Sequence, residues 1–408
     1  MLDIQFIREN TDKVKKATVA KQLEPSLVDR LLELDEKRRK LLGEIEAIRA
    51  KRNKFASQKN IEEGKKIKEE LKTLEPELQK VEDEYRQALL LIPNPPADDV
   101  KEGKDESENE VIRKWGEPKK FDFEAKDHLA LGEALGIIDV ERAAKVSGAR
   151  FGYLKGDAVV LELALINFAM ETLIKEGFIP VVPPVLIKKE SMQGMGYLEH
   201  GGEENMYVLE KDGLILVGTS EQSLGPIHQG ETLDKLPIRY VGFSPCFRRE
   251  SGSYGKDTRG ILRVHQFDKV EMFSFTKPED GNKEHEYLLS LEEKLLQALN
   301  IPYQVVKMCS GDLGAPAARK YDLEAWMPGQ GKYREVTSTS TCTDFQARRL
   351  NIKYKDGDKT GYVHMLNGTA IAIGRTIIAI MENYQEKDGS IVVPEILRKW
   401  LGKEKIGK

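Results

Sequence analysis

The sequence predicts an α+β protein: an N-terminal antiparallel two-helix coiled-coil arm, followed by a domain with a mainly antiparallel sheet flanked by helices. Three observations predict this class. Apolar residues repeat in heptads through much of the first hundred residues, short β-rich runs mix with helical segments from about residue 119 onward, and a proline-rich stretch separates the two patterns. With 408 residues, of which 40% are hydrophobic and 32% charged, the chain can bury one large core or two ordinary domains.

The arm is predicted by apolar positions that alternate steps of four and three residues. In the first helix these positions are Leu27, Leu31, Leu34, Leu41, Ile45, Ile48 and Phe55, and in the second they are Ile67, Leu71, Leu74, Leu78, Val81, Tyr85, Ala88 and Ile92. Asn60 and Gly64 predict a short turn between them, so the two helices, each about 45 Å long at about 1.5 Å per residue, should run antiparallel within about 26–92. Pro76 predicts a kink in a continuous second helix, because the heptad phase survives across it.

Basic residues concentrate towards the tip of the arm, although the formal net charge of the whole chain is −4. They include Lys37, Arg38, Arg39, Lys40, Arg49, Lys51, Arg52, Lys54, Lys59, Lys65, Lys66 and Lys68. A locally basic arm on an acidic protein favours a phosphate backbone as its partner. A purely structural coil with solvated charges is the alternative.

The stretch PNPPADDV ends the arm at Pro93–Val100 and is followed by an acidic segment. We therefore predict an N-terminal domain over 1–100 that carries the arm, a linker over 101–118 and a second domain over 119–408. Charged residues occur in the opening segment MLDIQFIREN and in every long apolar window, so we expect no signal peptide, no membrane span and a cytoplasmic location.

The three cysteines do not form a recognisable motif. Cys246, Cys309 and Cys342 are odd in number, lie far apart and lack CxxC spacing. We expect them to be small buried side chains in a reducing compartment, without a disulfide framework or a zinc site.

A charged hairpin is predicted in the second domain. The run IRYVGFSPCFRRE is interpreted as a strand that ends in Arg248, Arg249 and Glu250, GSYGKDTRG as a mobile turn, and ILRVHQFDKVEMFSF as a strand that returns from Ile261. Period-two alternation would place Arg248 and Glu250 on one face. An ordinary salt-bridged hairpin would show the same pattern.

A second candidate segment is HMLNGTAIAIGRTIIAIMENY, at 364–384. It predicts a strand, a glycine break and an amphipathic helix with Arg375 in its first turns. Neither GxxxxGK[ST] nor GxGxxG occurs in the chain, so a bound nucleotide would need arginines for its phosphates instead of a glycine loop. A core helix with one buried arginine is the alternative.

Together these segments resemble the class II aminoacyl-tRNA synthetases. FRRE…RVHQFDKVE is similar to their motif 2, GRTIIAIMENY to motif 3, and GFIPVVPPVLIKKESM to the proline-bearing motif 1. LVGTSEQSL, YREVTSTSTCTDFQARRL and the heptad arm resemble the seryl branch in particular, and the resemblance runs from MLDIQFIREN to VVPEILRKWL. It implies a homodimeric ligase that forms seryl-adenylate from L-serine and ATP and transfers the seryl group to tRNA(Ser), with tRNA(Sec) as an open second substrate. It also implies that 1–100 is the tRNA-binding domain and 119–408 the class II catalytic domain.

The resemblance also implies an ATP and Mg²⁺ site. Arg248 would hold the α-phosphate and Arg375 the γ-phosphate, as the catalytic pair, while Glu250 would contact the adenine amino group. Glu335 and Ser338 match the family's Mg²⁺ position, and their oxygen atoms suit a hard ion that keeps its waters and bridges phosphates. The other expected ATP-binding residues are Arg249, Val264, Val336 and Thr337.

By the same resemblance, Thr219, Ser220, Glu221, Glu271 and Thr369 form the serine pocket. Carboxylates suit an ammonium group and a hydroxyl donor, and a pocket that hydrogen-bonds this hydroxyl should reject alanine by about 10⁴-fold. The family usually has serine where this chain has Thr369. The hydroxyl is kept, and the extra methyl group should narrow the pocket against threonine.

Three further alternatives bear on this interpretation. His265 could shuttle protons in the charged hairpin, although a serine carboxylate is already ionised at pH 7 and needs no base, so positioning should dominate. A related ligase that loads amino acids onto carrier proteins would lack the arm. A degenerate, RNA-binding or structural paralogue would have lost Arg248, Glu250, Glu335 or Arg375, and all four are present.

Overall fold

The computed structural model describes residues 1–57, 61–251 and 259–407, with the backbone alone at 56, 57 and 61. The chain divides into two compact units, Met1–Pro95 and Pro96–Lys408. The helices of the described part are α1 (Ile4–Glu9), α2 (Thr11–Ala20), α3 (Ser26–Ser57), α4 (Ile61–Leu91), α5 (His128–Ala134), α6 (Val140–Ser147), α7 (Asp157–Lys175), α8 (Lys189–Met195), α9 (Glu221–Leu224), α10 (Gly281–Ala298), α11 (Phe345–Leu350), α12 (Ile373–Asn383) and α13 (Arg398–Leu401).

The strands of the described part belong to one large sheet and several small ones. They are β1 (Glu110–Trp115), β2 (Ile138–Asp139), β3 (Tyr153–Leu154), β4 (Ile179–Val181), β5 (Leu186–Lys188), β6 (Tyr207–Leu209), β7 (Leu214–Leu216), β8 (Thr232–Leu233), β9 (Ile238–Phe247), β10 (Gln266–Thr276), β11 (Tyr303–Lys307), β12 (Arg319–Met327), β13 (Lys332–Thr341), β14 (Lys353–Asp356), β15 (Lys359–Tyr362), β16 (His364–Ala372), β17 (Ile391–Val392) and β18 (Lys405–Ile406).

The first unit contains the predicted helical hairpin, formed by α3 and α4. Ion pairs join Arg38 to Glu82 at 3.3 Å and Arg49 to Glu75 at 2.8 Å, so the order along one helix reverses along the other and the pair is antiparallel. The heptad positions form the apolar seam, with Ile45, Ile48, Ile67 and Leu71 buried against Phe55, Leu74 and Leu78. Pro76 lies within α4, which continues across it as predicted.

One detail of the turn prediction is wrong. Helix α4 already begins at Ile61, so Gly64 lies inside the helix and not in the connection. A Cβ atom at Gly64 would meet nothing within 4 Å. Asn60, the other residue assigned to the turn, lies outside the described residues.

The second unit is organised around an eight-stranded sheet in the order β1-β11-β12-β13-β16-β10-β9-β4. Every neighbouring pair is antiparallel except β4 and β9, which confirms the predicted mainly antiparallel α+β class. Helices α7, α10 and α12 contribute Leu165, Leu295 and Ile378 to the main core together with Leu323 and Ala325 of β12. Because side chains alternate along a strand, Asp322 and Glu324 face the opposite side of the sheet.

Two sequence expectations about strand boundaries change with the structure. Strand β1, inside the segment taken as a linker, pairs with β11 at the edge of the large sheet, so this stretch is part of the second unit. In the charged hairpin, β9 ends at Phe247 and β10 begins only at Gln266, so the returning strand does not start at Ile261 as predicted. Most of the GSYGKDTRG turn, 252–258, lies outside the described residues.

We predict that Gly64→Ala stabilises the protein. Glycine has a low helix propensity and alanine the highest, and the added Cβ atom would meet no neighbouring atom. The free energy of unfolding, measured by urea titration with circular dichroism, should rise by about 0.5–1 kcal/mol. Gly213→Ala is the control: Gly213 also has open space around it but adopts φ 64°, so this change should lower stability. A loss of stability in Gly64→Ala would contradict the helical placement of Gly64.

Candidate active site

An arginine–carboxylate pair joins the start of α12 to β13. Arg375 is the third residue of α12, and its Nη1 lies 2.9 Å from Glu335 Oε2 and donates to the Glu335 carbonyl oxygen at 3.0 Å. Burial alone would raise the pKa of Glu335, but attraction to Arg375 and Lys320, with a smaller contribution from Arg248, lowers it to about 2. Glu335 is therefore ionised and lies in the field of both predicted catalytic arginines.

Arg248 is held just beyond the end of β9. Its Nε donates to the Gly218 carbonyl oxygen at 3.0 Å, and its guanidinium carbon lies 5.2 Å from the centroid of the Phe267 ring. A cation over an aromatic face is attracted by the ring quadrupole, so these two contacts fix the direction of the guanidinium group. The structure thus brings Arg248, Arg375 and Glu335 together from three separate segments of the chain.

A β-bulge explains how Glu335 and Ser338 share one face. Residues three apart on a regular strand point to opposite faces. In the β12–β13 pair, Leu323 lies opposite Thr337 whereas the next residue, Glu324, lies opposite Glu335, so Val336 is an extra residue in the ladder. This extra residue reverses the alternation once and returns Ser338 to the face of Glu335.

Asp322 is an acidic neighbour that the sequence interpretation missed. It lies opposite Ser338 in the ladder, and its Oδ1 is buried without a hydrogen bond among the described residues, 3.4 Å from Lys320 Nζ. Burial and repulsion by Glu335 raise the pKa of Asp322 to about 7, although Lys320 opposes this shift. The described residues contain no group of three or more His, Cys, Asp or Glu side chains able to hold a metal. The oxygens of Glu335, Ser338 and Asp322 fit an Mg²⁺ ion that takes few protein ligands.

The residues around Glu250 do not follow the strand alternation that the sequence predicted. Glu250 comes after the end of β9 and adopts a left-handed φ of 54°, so its placement is not set by alternation with Arg248. Its carboxylate accepts a hydrogen bond from Arg263 Nη1 at 2.9 Å. Arg249 stacks over the Tyr207 ring with its guanidinium carbon 5.5 Å from the centroid, and Val264 is buried.

Two further residues expected at the ATP site turn their side chains away from it. Val336 is buried in the main core, and Thr337 Oγ1 donates to the buried carboxylate of Glu292 on α10 at 2.8 Å. Only the backbone of Val336 and Thr337 could therefore contact a ligand on the face of Glu335.

The histidine of the hairpin has a positioning contact. His265 Nδ1 lies 3.0 Å from the carbonyl oxygen of Arg248, and the Arg248 N–H donates to the His265 carbonyl oxygen at 2.9 Å. Since a carbonyl oxygen only accepts, Nδ1 is the donor. The ring thus supports the backbone at Arg248.

The predicted serine-pocket residues Glu271 and Thr369 form a buried cluster with Lys269. Glu271 is 1% exposed, and its Oε2 lies 2.6 Å from Lys269 Nζ and accepts a hydrogen bond from Thr369 Oγ1 at 3.1 Å. Lys269 also donates to Thr369 Oγ1 at 3.3 Å. A second bulge, at Ala370 of β16, places Thr369 directly opposite Glu271.

Glu221 is a second buried carboxyl group in this region. Tyr197 OH donates to its Oε2 at 2.8 Å and Gln346 Nε2 to its Oε1 at 3.3 Å. Burial and repulsion by Glu271 raise the pKa of Glu221 to about 7. Burial and Glu221 raise the pKa of Tyr197 well above its ordinary value, while the charge of Arg248 counteracts this rise. Arg248 therefore acts on both the Glu335 group and the Glu221 group.

The two other residues of the TSE triplet lie beside Glu221. Thr219 Oγ1 accepts the Glu221 N–H at 3.3 Å, and Ser220 Oγ lies 2.8 Å from Ser244 Oγ. Both residues are buried.

Sequence reasoning missed Lys269, Tyr197 and Gln346 as partners of the pocket carboxylates. Lys269 could have been found, because it lies two residues before Glu271 on β10 and alternation puts both on one face. Tyr197 and Gln346 reach Glu221 from distant parts of the chain, and no local pattern indicates this meeting.

Comparisons with known proteins bear on this arrangement. Residues 1–96 match the family described as the seryl-tRNA synthetase N-terminal domain, and residues 207–384 match the tRNA synthetase class II core domain (G, H, P, S and T). The chain is 49% identical to a serine–tRNA ligase of Dictyoglomus thermophilum, with 98% of each chain covered, and 48% identical to one of Petrotoga mobilis, with 100% covered. The chain belongs to the seryl-tRNA synthetase family.

Solved structures of the seryl-tRNA synthetase family agree with the fold. The seryl-tRNA synthetase of Pyrococcus horikoshii in complex with ATP has a TM-score of 0.95 at 43% identity, covering 100% of this chain and 99% of its own. The cytoplasmic serine–tRNA ligase of Naegleria fowleri in complex with AMP has a TM-score of 0.91 at 37% identity, covering 100% and 98%. The predicted enzyme class, an aminoacyl-tRNA synthetase that forms carbon–oxygen bonds, is confirmed by these relatives.

Two sequence expectations remain, one about the cysteines and one about membrane-spanning helices. Cys246, Cys309 and Cys342 are buried, as predicted. Across the described ranges, none of the helices combines the length and the apolar character that crossing a bilayer requires.

We predict that Lys269→Met strongly destabilises the protein, because it leaves Glu271 buried without its cation and close to Glu221. Breaking a buried ion pair by removing one partner costs about 3–5 kcal/mol, measurable as a loss in the free energy of unfolding in urea. Lys277→Met is the control: Lys277 pairs with Asp356 at 2.8 Å on the surface, and its loss should matter far less. Equal small effects of the two changes would show that the Lys269–Glu271 pair is not energetically coupled.

Proposed function

We propose that this chain activates L-serine with ATP and transfers the seryl group to the 3′-terminal adenosine of tRNA(Ser), in the cytoplasm. The observation that supports the proposal is that the charge of Arg248 acts on two groups of opposite character, Glu335 and the Tyr197 hydroxyl that donates to Glu221. On one side are Arg375 and the oxygen atoms around Glu335, and on the other are the buried carboxyl groups of Glu221 and Glu271. The first set suits a triphosphate and the second suits an amino acid.

In the first step, a carboxylate oxygen of serine attacks the α-phosphorus of ATP. A new oxygen–phosphorus bond forms while the bond to the bridging oxygen breaks, and its electron pair leaves with pyrophosphate. We assign Arg248 to the α-phosphate and Arg375 to the γ-phosphate, where they balance the charge that develops. A preorganised contact of this kind typically contributes about 3–4 kcal/mol of transition-state stabilisation.

Adenine and metal recognition complete the proposed ATP site. Glu250, which is oriented by its hydrogen bond from Arg263, would accept a hydrogen bond from the adenine amino group. Arg249 and Val264 would also contact ATP. Glu335 and Ser338, with Asp322, would hold Mg²⁺, which supplies charge neutralisation between the phosphates when bound.

Serine selection is assigned to the buried carboxyl cluster. The ammonium group of serine would bind to Glu221 and Glu271, and its hydroxyl group would replace part of the hydrogen bonding now made within the cluster by Thr369. Alanine would leave these buried polar groups unpaired, which costs more than the loss of a methylene contact. The methyl group of Thr369 would leave too little space for the methyl group of a bound threonine.

The arm is assigned to tRNA binding within the domain 1–100, with catalysis in 119–408. Exposed cations on α3 and α4, such as Lys51, Arg52, Lys65 and Lys68, support this assignment, because phosphate backbones attract such a surface irrespective of base identity. Binding by backbone charge and shape leaves tRNA(Sec) as a further candidate, which an aminoacylation assay with that tRNA would test.

We also propose a homodimer. Large apolar side chains are exposed on α7, where Val159 and Leu163 are 40% and 54% exposed, and in motif 1, where Ile179 and Val182 at β4 are 51% and 84% exposed. Exposed apolar groups of this kind mark association surfaces, and a second copy would also protect the free edge of β4. Sedimentation as a monomer at micromolar concentration would contradict this proposal.

We predict that the purified protein catalyses serine-dependent exchange between ATP and pyrophosphate, and that chelating Mg²⁺ stops it. Arg375→Ala should lower the exchange rate by about 10²–10³-fold, because it removes one preorganised phosphate contact. Arg113→Ala, which removes an arginine paired with Glu293 away from the site, is the control and should leave the rate unchanged. Exchange with alanine or glycine but not with serine would overturn the pocket assignment.

We predict that neutralising the arm separates the two steps of the reaction. Replacing Lys51, Arg52, Lys65 and Lys68 with glutamine should raise the KM for tRNA. It should also make tRNA binding less sensitive to salt: the slope of log affinity against log salt concentration should become shallower by up to about 0.9 for each lost phosphate contact. Serine-dependent exchange should not change. The control replaces four exposed lysines of the second unit: Lys120, Lys235, Lys355 and Lys359. If exchange and tRNA charging fell together, the arm would have a structural role.

A further inference from the structure

A buried histidine outside the assigned site connects two of its segments. His128 is the first residue of α5 and is 5% exposed. Its Nε2 accepts a hydrogen bond from the backbone N–H of Ile261 at 3.2 Å, whereas its Nδ1 lies 3.4 Å from Glu382 Oε1 without a hydrogen bond to any described residue. The backbone N–H of His128 donates to the same carboxylate oxygen at 3.2 Å.

Glu382 is anchored firmly enough to act as a fixed point. It is fully buried near the end of α12, and besides His128 it accepts the Gly329 N–H at 2.9 Å and Gln330 Nε2 at 3.3 Å. Arg375 lies on the same helix, seven residues earlier and therefore about two turns away. A contact to Glu382 is thus a contact to the element that carries Arg375.

Ile261 belongs to the segment that returns from the charged hairpin towards β10. On one side, a Cβ atom at Gly260 would come within 2.1 Å of His128 Nε2, so only glycine, here at φ 73°, permits this approach. On the other side, the Ile261 carbonyl oxygen lies 3.6 Å from the Cβ position of Gly374 at the start of α12. Gly260 and Ile261, at the start of the segment 260–264, therefore lie between His128 and the start of α12.

Two hydrogen bonds of His128 run in opposite directions. The Ile261 N–H donates to Nε2, so Nε2 carries a lone pair. The backbone N–H of His128 donates to Glu382 Oε1. His128 therefore joins the Ile261 backbone, through its ring, to the buried carboxylate of Glu382, through its own backbone.

We propose that His128 is a positioning residue for ATP. It connects the segment 260–264 to α12, the helix that carries Arg375, and we call this connection the lock. Arg263 of this segment donates a hydrogen bond to Glu250, and Val264 is the next residue. The lock therefore keeps the residues assigned to adenine at a constant distance from Arg375, which is assigned to the γ-phosphate. The inference rests on the proposed function, since it assigns these residues to ATP. Loss of the lock should weaken ATP binding and spare the serine pocket.

Two substitutions test whether Nε2 is the atom that carries the effect. In His128→Gln the amide oxygen reaches the place of Nε2 and can still accept from Ile261, whereas in His128→Asn the shorter amide reaches the place of Nδ1 and can only face Glu382. His128→Asn should raise the KM for ATP about tenfold, the effect of one lost hydrogen bond, and leave the KM for serine within about twofold. His128→Gln should restore the ATP value.

His285→Asn is the matched control, because His285 is also a fully buried histidine, lies on α10 and packs against Tyr321 with ring centroids 5.1 Å apart. It should lower the melting temperature without changing the KM for ATP. Equal ATP affinities of His128→Asn and the parent protein, or equal losses in His128→Asn and His128→Gln, would overturn the inference.

Calorimetric titration with ATP in the absence of amino acid keeps this test separate from the proposed function. If the parent protein lacks serine-dependent exchange but binds ATP more tightly than His128→Asn, the proposed function fails and the inference stands. If exchange is present and both proteins bind ATP equally, only the inference fails.

Discussion

The ion pair between Arg375 and Glu335 is the interaction on which the rest of the site depends. It connects the first turn of α12 to β13 and so fixes the motif 3 helix against the large sheet. A protein without a glycine-rich phosphate loop must hold phosphates with side chains, and long side chains need neighbours that restrict them. Here Glu335 orients Arg375, while Gly218 and Phe267 orient Arg248.

The balance of charge around these arginines explains why the same sheet face can carry two opposite environments. Lys320 and Arg375 keep Glu335 ionised, whereas burial and mutual repulsion raise the pKa of Glu221 to about 7. Lys269 offsets the charge of Glu271 within hydrogen-bond distance. A buried carboxylate without such a partner would be strongly destabilising, so the proposed ligand sites and the stability of the unit share the same ion pairs.

Much of the architecture was predictable because periodicity is a local property. Heptads indicated the hairpin of α3 and α4, and β-rich runs indicated β9 to β13 and the antiparallel class. The errors occurred where local pattern is weak. Gly64 was assigned to a turn by its type but lies inside a helix, and the segment from Ile261 was assigned to a strand by its apolar content but is held by His128 and α12 instead.

The sequence alone determined the fold class, the arm and the types of residue available for chemistry, since these follow from spacing and composition. The tertiary structure decided which of them meet. One extra residue, Val336, turns Ser338 to the face of Glu335, and a register set by β10 and β16 places Thr369 against Glu271. Ladder registers and bulges depend on pairing between strands that are distant in sequence, so no local pattern encodes them.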